Sequence, residues 1–182
     1  MSDNAQWGKP PVHITGGAGY IGSHAVLELL DRGWPVTVID DLSTGRQASV
    51  PKEAVFVKGD IGDSALVRNT IRQNECQAVL HFAGSIVVSQ SVLDPLKYYE
   101  NNITPLIYVL QELSKLAIQK LIFSSSCTVY GQADKLPISE LSPIKESESP
   151  YGSTKKIGEQ IIEDSCRANT SLKAIALRYF NP

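Results

Sequence analysis

Six short apolar runs, separated mostly by stretches with helical spacing, set the strongest limit on what this chain can fold into. The runs fall at residues 12–15, 36–39, 54–57, 78–82, 120–124 and 173–178. They are β-branched or leucine-rich and apolar on both faces, the pattern of parallel strands covered by helices on both sides. Between them, residues 21–32 place Ile21, Ala25, Leu29 and Leu30 on one helical face, and residues 64–73 make a shorter helix. Residues 96–117 repeat Tyr99, Ile103, Leu106, Leu110, Leu113 and Ala117 at three- and four-residue steps. Pro105 inside that helix removes one backbone hydrogen bond and is expected to kink it. Repeated β-α-β units with right-handed crossovers predict an α/β fold, a doubly wound parallel sheet with helices on both faces.

Composition narrows the class. The 182 residues carry 17 Lys plus Arg against 19 Asp plus Glu, a net charge of −2. A near-neutral balance lacks the basic field that general nucleic-acid or anionic-membrane binding requires. No run approaches the roughly 18 apolar residues of a membrane span, and the start, MSDNAQWGKPP, is polar without a signal-peptide core. Cys76, Cys127 and Cys166 have no CxxC spacing and read as reduced thiols in a cytoplasmic protein. Residues 1–11 are expected to be a mobile tail, and 12–182 a single domain. Residues 132–150, with three prolines and six charges, predict a long surface excursion. At its end Ser149 can cap, Pro150 suits the first helical position, and Tyr151 starts a helix running to about Arg167.

The first run leads into Gly16-Gly17-Ala18-Gly19-Tyr20-Ile21-Gly22. After a strand and before a helix, this spacing fits a dinucleotide: Gly16 for the tight turn, Gly19 for close approach of a pyrophosphate, Gly22 for helix packing. The helix N-terminus then offers free N–H groups to the phosphates. Asp40-Asp41 ends the second run, about 20 residues past the last glycine, where a carboxylate accepts the ribose hydroxyls and repels a 2′-phosphate. No arginine directly follows, so NAD is expected over NADP. Asp60 either reaches the adenine edge or caps the next helix. His81-Phe82-Ala83-Gly84 closes the fourth run, with small residues suited to close cofactor contact. His13, His24 and His81 lack a metal-ligand spacing and read as packing or hydrogen-bonding residues.

A second constellation follows. The fifth run ends in Ser124-Ser125-Ser126-Cys127-Thr128, and the helix after the excursion opens Tyr151-Gly-Ser-Thr-Lys155. Tyr and Lys at i and i+4 share a helix face. An ammonium beside a phenol, near a positive helix end, favours the phenolate, so Tyr151 is expected to act as a base near neutral pH. The bland alternative for YxxxK alone is a surface helix start with an incidental lysine. The glycine fingerprint and the serine-rich strand end weigh against it.

Taken in order, TGGAGYIGSH, DDLSTG, HFAG, YYENN, FSSSCTVYG, SPYGSTK and LRYFNP resemble the extended short-chain dehydrogenase/reductase family. Within it the likeness is greatest to members that epimerise C4 of a UDP-hexose through a 4-keto intermediate. The resemblance covers residues 12–182 and implies a Rossmann-type sheet. It implies that NAD is bound by Tyr20, Ile21, Asp40, Asp41, Leu42, Ser43, Thr44, Gly45, Asp60, Ile61, Phe82, Ala83, Gly84, Ser85, Ile86, Asn101 and Phe180. Ser126 would hydrogen-bond the sugar, Tyr151 would be the acid/base, Lys155 would hold the nicotinamide ribose, and Asn181 would lie on the substrate side. A homodimer through the helices at 96–117 and 151–167 is likewise implied.

Two positions depart from the family's pattern. Ile86 stands where some epimerases have lysine, and Cys127 replaces a usual alanine, either as a small buried thiol or as a reactive one. The family's dehydratases place Asp-Glu just before VYG, where this chain has Cys127-Thr128, so dehydration is not expected. Epimerisation of other UDP-sugars stays open. Family members continue into a C-terminal substrate domain, which is absent here, so the chain is a fragment or a truncated paralogue. Weak NAD binding with negligible turnover is expected of the chain alone. The rival reading is a non-catalytic NAD-binding module.

Overall fold

Strands satisfy their backbone hydrogen bonds by pairing with other strands, and here six of them build one sheet. The computed structural model describes residues 8–180. Its strands are β1 (Val12–Thr15), β2 (Val36–Asp40), β3 (Val55–Lys58), β4 (Ala78–His81), β5 (Lys120–Ser126) and β6 (Lys173–Tyr179). They pair in the order β3-β2-β1-β4-β5-β6, every pair parallel. The order reverses between β1 and β4, which opens a crevice at their carboxyl ends.

The helices are α1 (Tyr20–Asp31), α2 (Ser64–Gln73), the six-residue α3 (Val88–Leu93), α4 (Pro95–Lys115) and α5 (Pro150–Ala168). One apolar cluster joins Val12, Ile14, Val36 and Val38 to Val26 of α1. The other joins Ile39, Val79, Leu121 and Phe123 to Val67 and Ile71 of α2, Leu106, Val109 and Leu113 of α4, and Ile162 of α5. Ile14, Val38 and Val79 are wholly buried, each contributing about 1.5–3 kcal/mol of hydrophobic stabilisation. The doubly wound α/β sheet is thus as the spacing predicts. The two edges differ: Val55 of β3 and Ile175 of β6 are about half exposed, at 48% and 59%.

Other differences have local causes. β5 runs beyond residue 124 because Ser124, Ser125 and Ser126 pair with Leu177, Arg178 and Tyr179, so backbone pairing extends the strand where no apolar signal does. Leu106, Leu110 and Leu113 of the predicted stripe on α4 are buried, but the N-terminal part of the buried face is turned by one residue. Tyr98, Asn102, Leu106, Val109 and Leu113 are buried, while Tyr99 is 36% exposed. α4 continues as one helix through buried Pro105, and α3 carries no signal that the spacing detected. The excursion at 132–149 has no regular element. It is tied down by Lys145, which donates to Asp134 Oδ1 at 2.5 Å and to the Gln132 carbonyl at 2.8 Å. Of the tail at 1–11, the first seven residues lie outside the described ones. Lys9 donates to the Arg32 carbonyl, and the Pro11 carbonyl accepts from Gln77 N–H at 2.8 Å.

Candidate active site

β1 hands over to α1 through a turn in which the glycines do different work. Gly16 has φ +72°, and a Cβ there would lie 2.5 Å from the Ala83 nitrogen, so only glycine lets the ends of β1 and β4 pass this closely. A Cβ on Gly22 would run into the Gly16 carbonyl. A Cβ on Gly19 would meet nothing nearer than the Gly16 oxygen at 3.4 Å. That is where open space remains. Gly19 is the N-cap of α1, makes no side-chain cap, and no acidic residue follows in the first turn. By contrast Asp63 caps α2, Asp94 caps α4 and Ser149 caps α5. The first turn of α1, with Tyr20 and Ile21, keeps its N–H groups and positive dipole for an anion.

Asp40 ends β2 and is 8% exposed. Its Oδ2 accepts from Ala18 N–H and its Oδ1 from Leu42 N–H, both at 2.9 Å. The residue therefore braces the glycine turn, a task its position in the sequence did not show, and each oxygen keeps one lone pair for a ligand. The following loop folds over that turn: Arg46 N–H donates to the Ala18 carbonyl at 3.0 Å, and Gly45 lies against Ala18. Asp41 closes its own turn by accepting from Ser43 N–H at 2.8 Å, and Ser43 and Thr44 are exposed. Asp60 accepts from Gly62 N–H at 2.7 Å beside buried Ile61. The cap of α2 is Asp63, so the alternative reading of Asp60 as that cap is corrected.

At the end of β4, Thr15 Oγ1 lies 2.9 Å from His81 Nδ1 and accepts from Ala83 N–H at 3.4 Å. Phe82 and Ala83 pack against the two core clusters. Gly84 has φ +153°, and its missing Cβ would crowd Asn102 Oδ1. Asn102, 5% exposed, holds this loop: its Oδ1 accepts from Ser85 N–H at 2.7 Å, and its Nδ2 donates to the Ser85 carbonyl and to Thr154 Oγ1, both at 3.0 Å. Asn101 Nδ2 donates to Ser85 Oγ at 3.1 Å, and Ile86 is 65% exposed. Asn102 was missed by sequence reading because an apolar count takes a buried amide for a gap in the stripe.

The Ser-Tyr-Lys group gathers at the end of β5. Ser126 is buried, and its Oγ accepts from Thr128 N–H at 3.2 Å, opening the 3₁₀ turn Cys127–Tyr130. α5 starts on its Ser149 cap with Pro150 in the first turn, so Tyr151 and Lys155 fall on one face. Lys155 Nζ donates to the Ser124 carbonyl at 2.8 Å and sits 5.1 Å above the Phe123 ring and 5.8 Å from the Tyr151 ring.

Burial pulls the Lys155 ammonium down to about 8. Burial raises Tyr151 above an ordinary phenol, with Ser126 hydrogen bonding to it and acting the other way, and with Cys127 and Tyr98 adding to the rise. The expectation that Lys155 and the helix end bring Tyr151 toward neutrality is therefore corrected for the protein without ligands. The ammonium bonds the Ser124 carbonyl, and loss of water around the phenol is the largest influence on it.

A further network lies beside this group. Glu159 of α5 accepts from Ser125 Oγ at 2.5 Å and from Arg178 Nε and Nη2 at 2.9 and 2.7 Å, while Arg178 Nη1 donates to the Tyr130 hydroxyl at 2.8 Å. Phe180 stacks on Tyr130 with ring centroids 6.2 Å apart. An arginine inside an apolar strand pattern and a glutamate four residues after Lys155 were the available signals. Asn181 lies outside the described residues.

Known proteins share the sequence and the fold of this chain. Residues 12–182 match the NAD dependent epimerase/dehydratase family. A UDP-glucose 4-epimerase of Erwinia amylovora is 44% identical over 176 residues, covering 93% of this chain and 52% of that protein. The crystal structure of UDP-glucose 4-epimerase from Brucella ovis in complex with NAD superposes with a TM-score of 0.90 at 42% identity, covering 94% of this chain and 52% of that one. The Bifidobacterium longum UDP-glucose 4-epimerase, solved with NAD+ and UDP, gives 0.90 at 37% identity, covering 94% and 53%. The chain spans about half the length of the relatives it matches. A glycine turn under an uncapped helix, a Ser-Tyr-Lys group at the end of β5 and this shared sequence have one common reading: the chain belongs to the NAD dependent epimerase/dehydratase family.

Proposed function

We propose that this chain is the cofactor-binding and catalytic half of an NAD-dependent enzyme that inverts C4 of a UDP-hexose, interconverting UDP-glucose and UDP-galactose through a transient 4-keto sugar. The observation that carries this reading is the convergence, at the carboxyl end of one sheet, of the uncapped α1 N-terminus with Ser126, Tyr151 and Lys155. The residues present suit NAD: open space at Gly19, no acid in the first turn of α1, and lone pairs left on Asp40. Gly16, Gly19, Tyr20, Ile21 and Gly22 would hold the pyrophosphate, Asp40 to Gly45 the adenosine ribose, and Asp60 with Ile61 the adenine. Phe82 to Ile86, Asn101, Lys155 and Phe180 would hold the nicotinamide half, and Asn181 would meet the sugar. When bound, NAD supplies a hydride acceptor with a positively charged ring and returns what it takes within each turnover, so no external redox partner is consumed.

The chain's own residues handle the proton. Tyr151 takes the proton of the sugar 4-hydroxyl as C4 is oxidised, and returns it to the 4-oxygen when C4 is reduced from the other face. Ser126 accepts from Thr128 N–H, and its one O–H, which hydrogen-bonds to Tyr151 in the protein without ligands, would turn to that oxygen when the sugar is bound. Lys155 uses one of three donors on the Ser124 carbonyl, leaving two for a ribose hydroxyl. Its ammonium, brought to about 8, stays mostly charged at neutral pH.

The reading is tested with this chain in place of the matching half of the Erwinia amylovora enzyme. UDP-galactose should be converted to UDP-glucose, and Tyr151→Phe should lose about 100- to 10,000-fold in rate. Near-wild-type turnover by Tyr151→Phe would remove the assignment. NAD binding by the 182-residue chain without turnover in the chimera would favour the non-catalytic module. Turnover of a UDP-pentose alone would move the substrate assignment.

A further inference from the structure

The helix that carries Tyr151 and Lys155 meets β5 through a smooth contact: Gly158 rests on the Phe123 ring, where an added Cβ would come within 2.8 Å. A contact of that kind resists approach but not sliding. Each residue of slide along a helix moves its side chains about 1.5 Å, and a misplacement of about 1 Å can cost on the order of 100-fold in rate. Along this contact what opposes sliding is polar, in addition to the hold that Ile162 and Thr154 give α5 on α4. Glu159 takes Ser125 Oγ from β5 and, with both its oxygens, the Arg178 fork from β6. Arg178 is the register partner of Ser125, and its third contact is the Tyr130 hydroxyl, whose ring stacks on Phe180. The two charged side chains are only 12% and 21% exposed. Buried ion pairs of this kind are weak sources of net stability, and their best-attested use is to set register. The bidentate fork adds direction as well as strength.

We propose that Glu159 and Arg178 are positioning residues that act as one unit to fix the station of α5 along β5 and β6, and with it the places of Tyr151 and Lys155. The inference rests on the role given above to Tyr151 and Lys155. Neither Glu159 nor Arg178 needs to touch substrate or cofactor for it to hold.

Lys155 reports the outcome without any turnover. Around its ammonium stand the Phe123 ring and Ser124 carbonyl of β5, the Tyr151 phenol of its own helix, and His81 of β4, which burial keeps neutral by lowering it to about 3. The test is NMR titration of the lysine side chains of the 182-residue chain, with the Lys155 signal identified by its loss in Lys155→Met. Arg178→Lys keeps the charge and removes the fork. It should raise the Lys155 midpoint by about one pH unit as water reaches the loosened ammonium. Glu159→Gln should shift it in the same direction, and the double variant should shift it no further than either single one.

A lowered melting temperature with an unmoved Lys155 midpoint would mean a merely structural pair and overturn the proposal. A downward shift in Glu159→Gln would mean through-space charge rather than position, and would overturn it equally. If Glu159→Gln does not fold, Tyr130→Phe removes only Arg178's third partner and should still raise the midpoint by a smaller amount; no shift there overturns the proposal. Failure of the wild-type chain to bind NAD would sink the functional reading while leaving this titration to judge the clamp.

Discussion

Lys155 shows what one buried ammonium costs a fold and how that cost can be measured. Its pKa falls from 10.5 to about 8 in the folded protein because burial disfavours the charged form. The unfolded chain therefore binds more protons than the folded one between about pH 8 and 10.5, and stability rises with pH across that window. Below about pH 8 the full penalty applies, on the order of 3 kcal/mol at 1.36 kcal/mol per unit. Urea unfolding of the wild type should show this rise between pH 7 and 10, whereas Lys155→Met should lack it. Parallel pH profiles for the two proteins would refute the assignment. Tyr151 and Lys155 were legible because i, i+4 spacing is preserved by any helix. The direction of the Tyr151 shift was not, since it depends on how much water the fold removes. Asp40 was legible as a carboxylate at the end of β2, but not as the brace that accepts from Ala18 and Leu42.

Strands and helices were read where apolar residues alone decide them, as for β1 and α2, whose bounds match the spacing. The reading failed where polar groups hold buried positions through partners remote in sequence. Asn102 and Glu112 are such residues on α4; Glu112 is wholly buried and pairs with Arg68 of α2 at 3.6 Å. His13 of β1, read as a packing or hydrogen-bonding residue, is buried without any hydrogen-bonding partner. Its ring is wholly buried between β2 and β4, neither nitrogen has a hydrogen-bond partner, and burial lowers its pKa to about 4. The unfolded histidine protonates near pH 6.5, so stability is present above that pH and drains away as pH falls toward about 4, by about 3 kcal/mol if this site acts alone. His13→Leu removes both the unpaired nitrogens and the proton uptake. It should be as stable as wild type or more so at pH 7, and should unfold at a lower pH in acid titration followed by circular dichroism. An unchanged acid midpoint would show that His13 does not drive acid unfolding.

At the scale of the whole molecule, the reversal of strand order between β1 and β4 puts the glycine turn and Asp40 on one half of the sheet and the Ser126–Tyr151–Lys155 group on the other. A ligand seated across that crevice contacts both halves, and one that binds only the folded chain stabilises it by mass action. At about 100 times its dissociation constant the gain is about 2.7 kcal/mol. For a domain of this length each kcal/mol raises the melting temperature by roughly 2–4 °C, so NAD should add roughly 5–10 °C. NADP should add less. Its 2′-phosphate would meet Asp40, whose carboxylate is fixed by two backbone N–H groups and cannot swing away. UDP-glucose alone should add little, because the chain spans about half of the proteins that it resembles. Gly19→Val fills the one glycine position of the turn that is still open, so it should leave the melting temperature near that of the wild type while abolishing the NAD shift. Equal shifts with NAD and NADP would remove Asp40 from the ribose site, and a full NAD shift in Gly19→Val would remove the pyrophosphate from the α1 N-terminus.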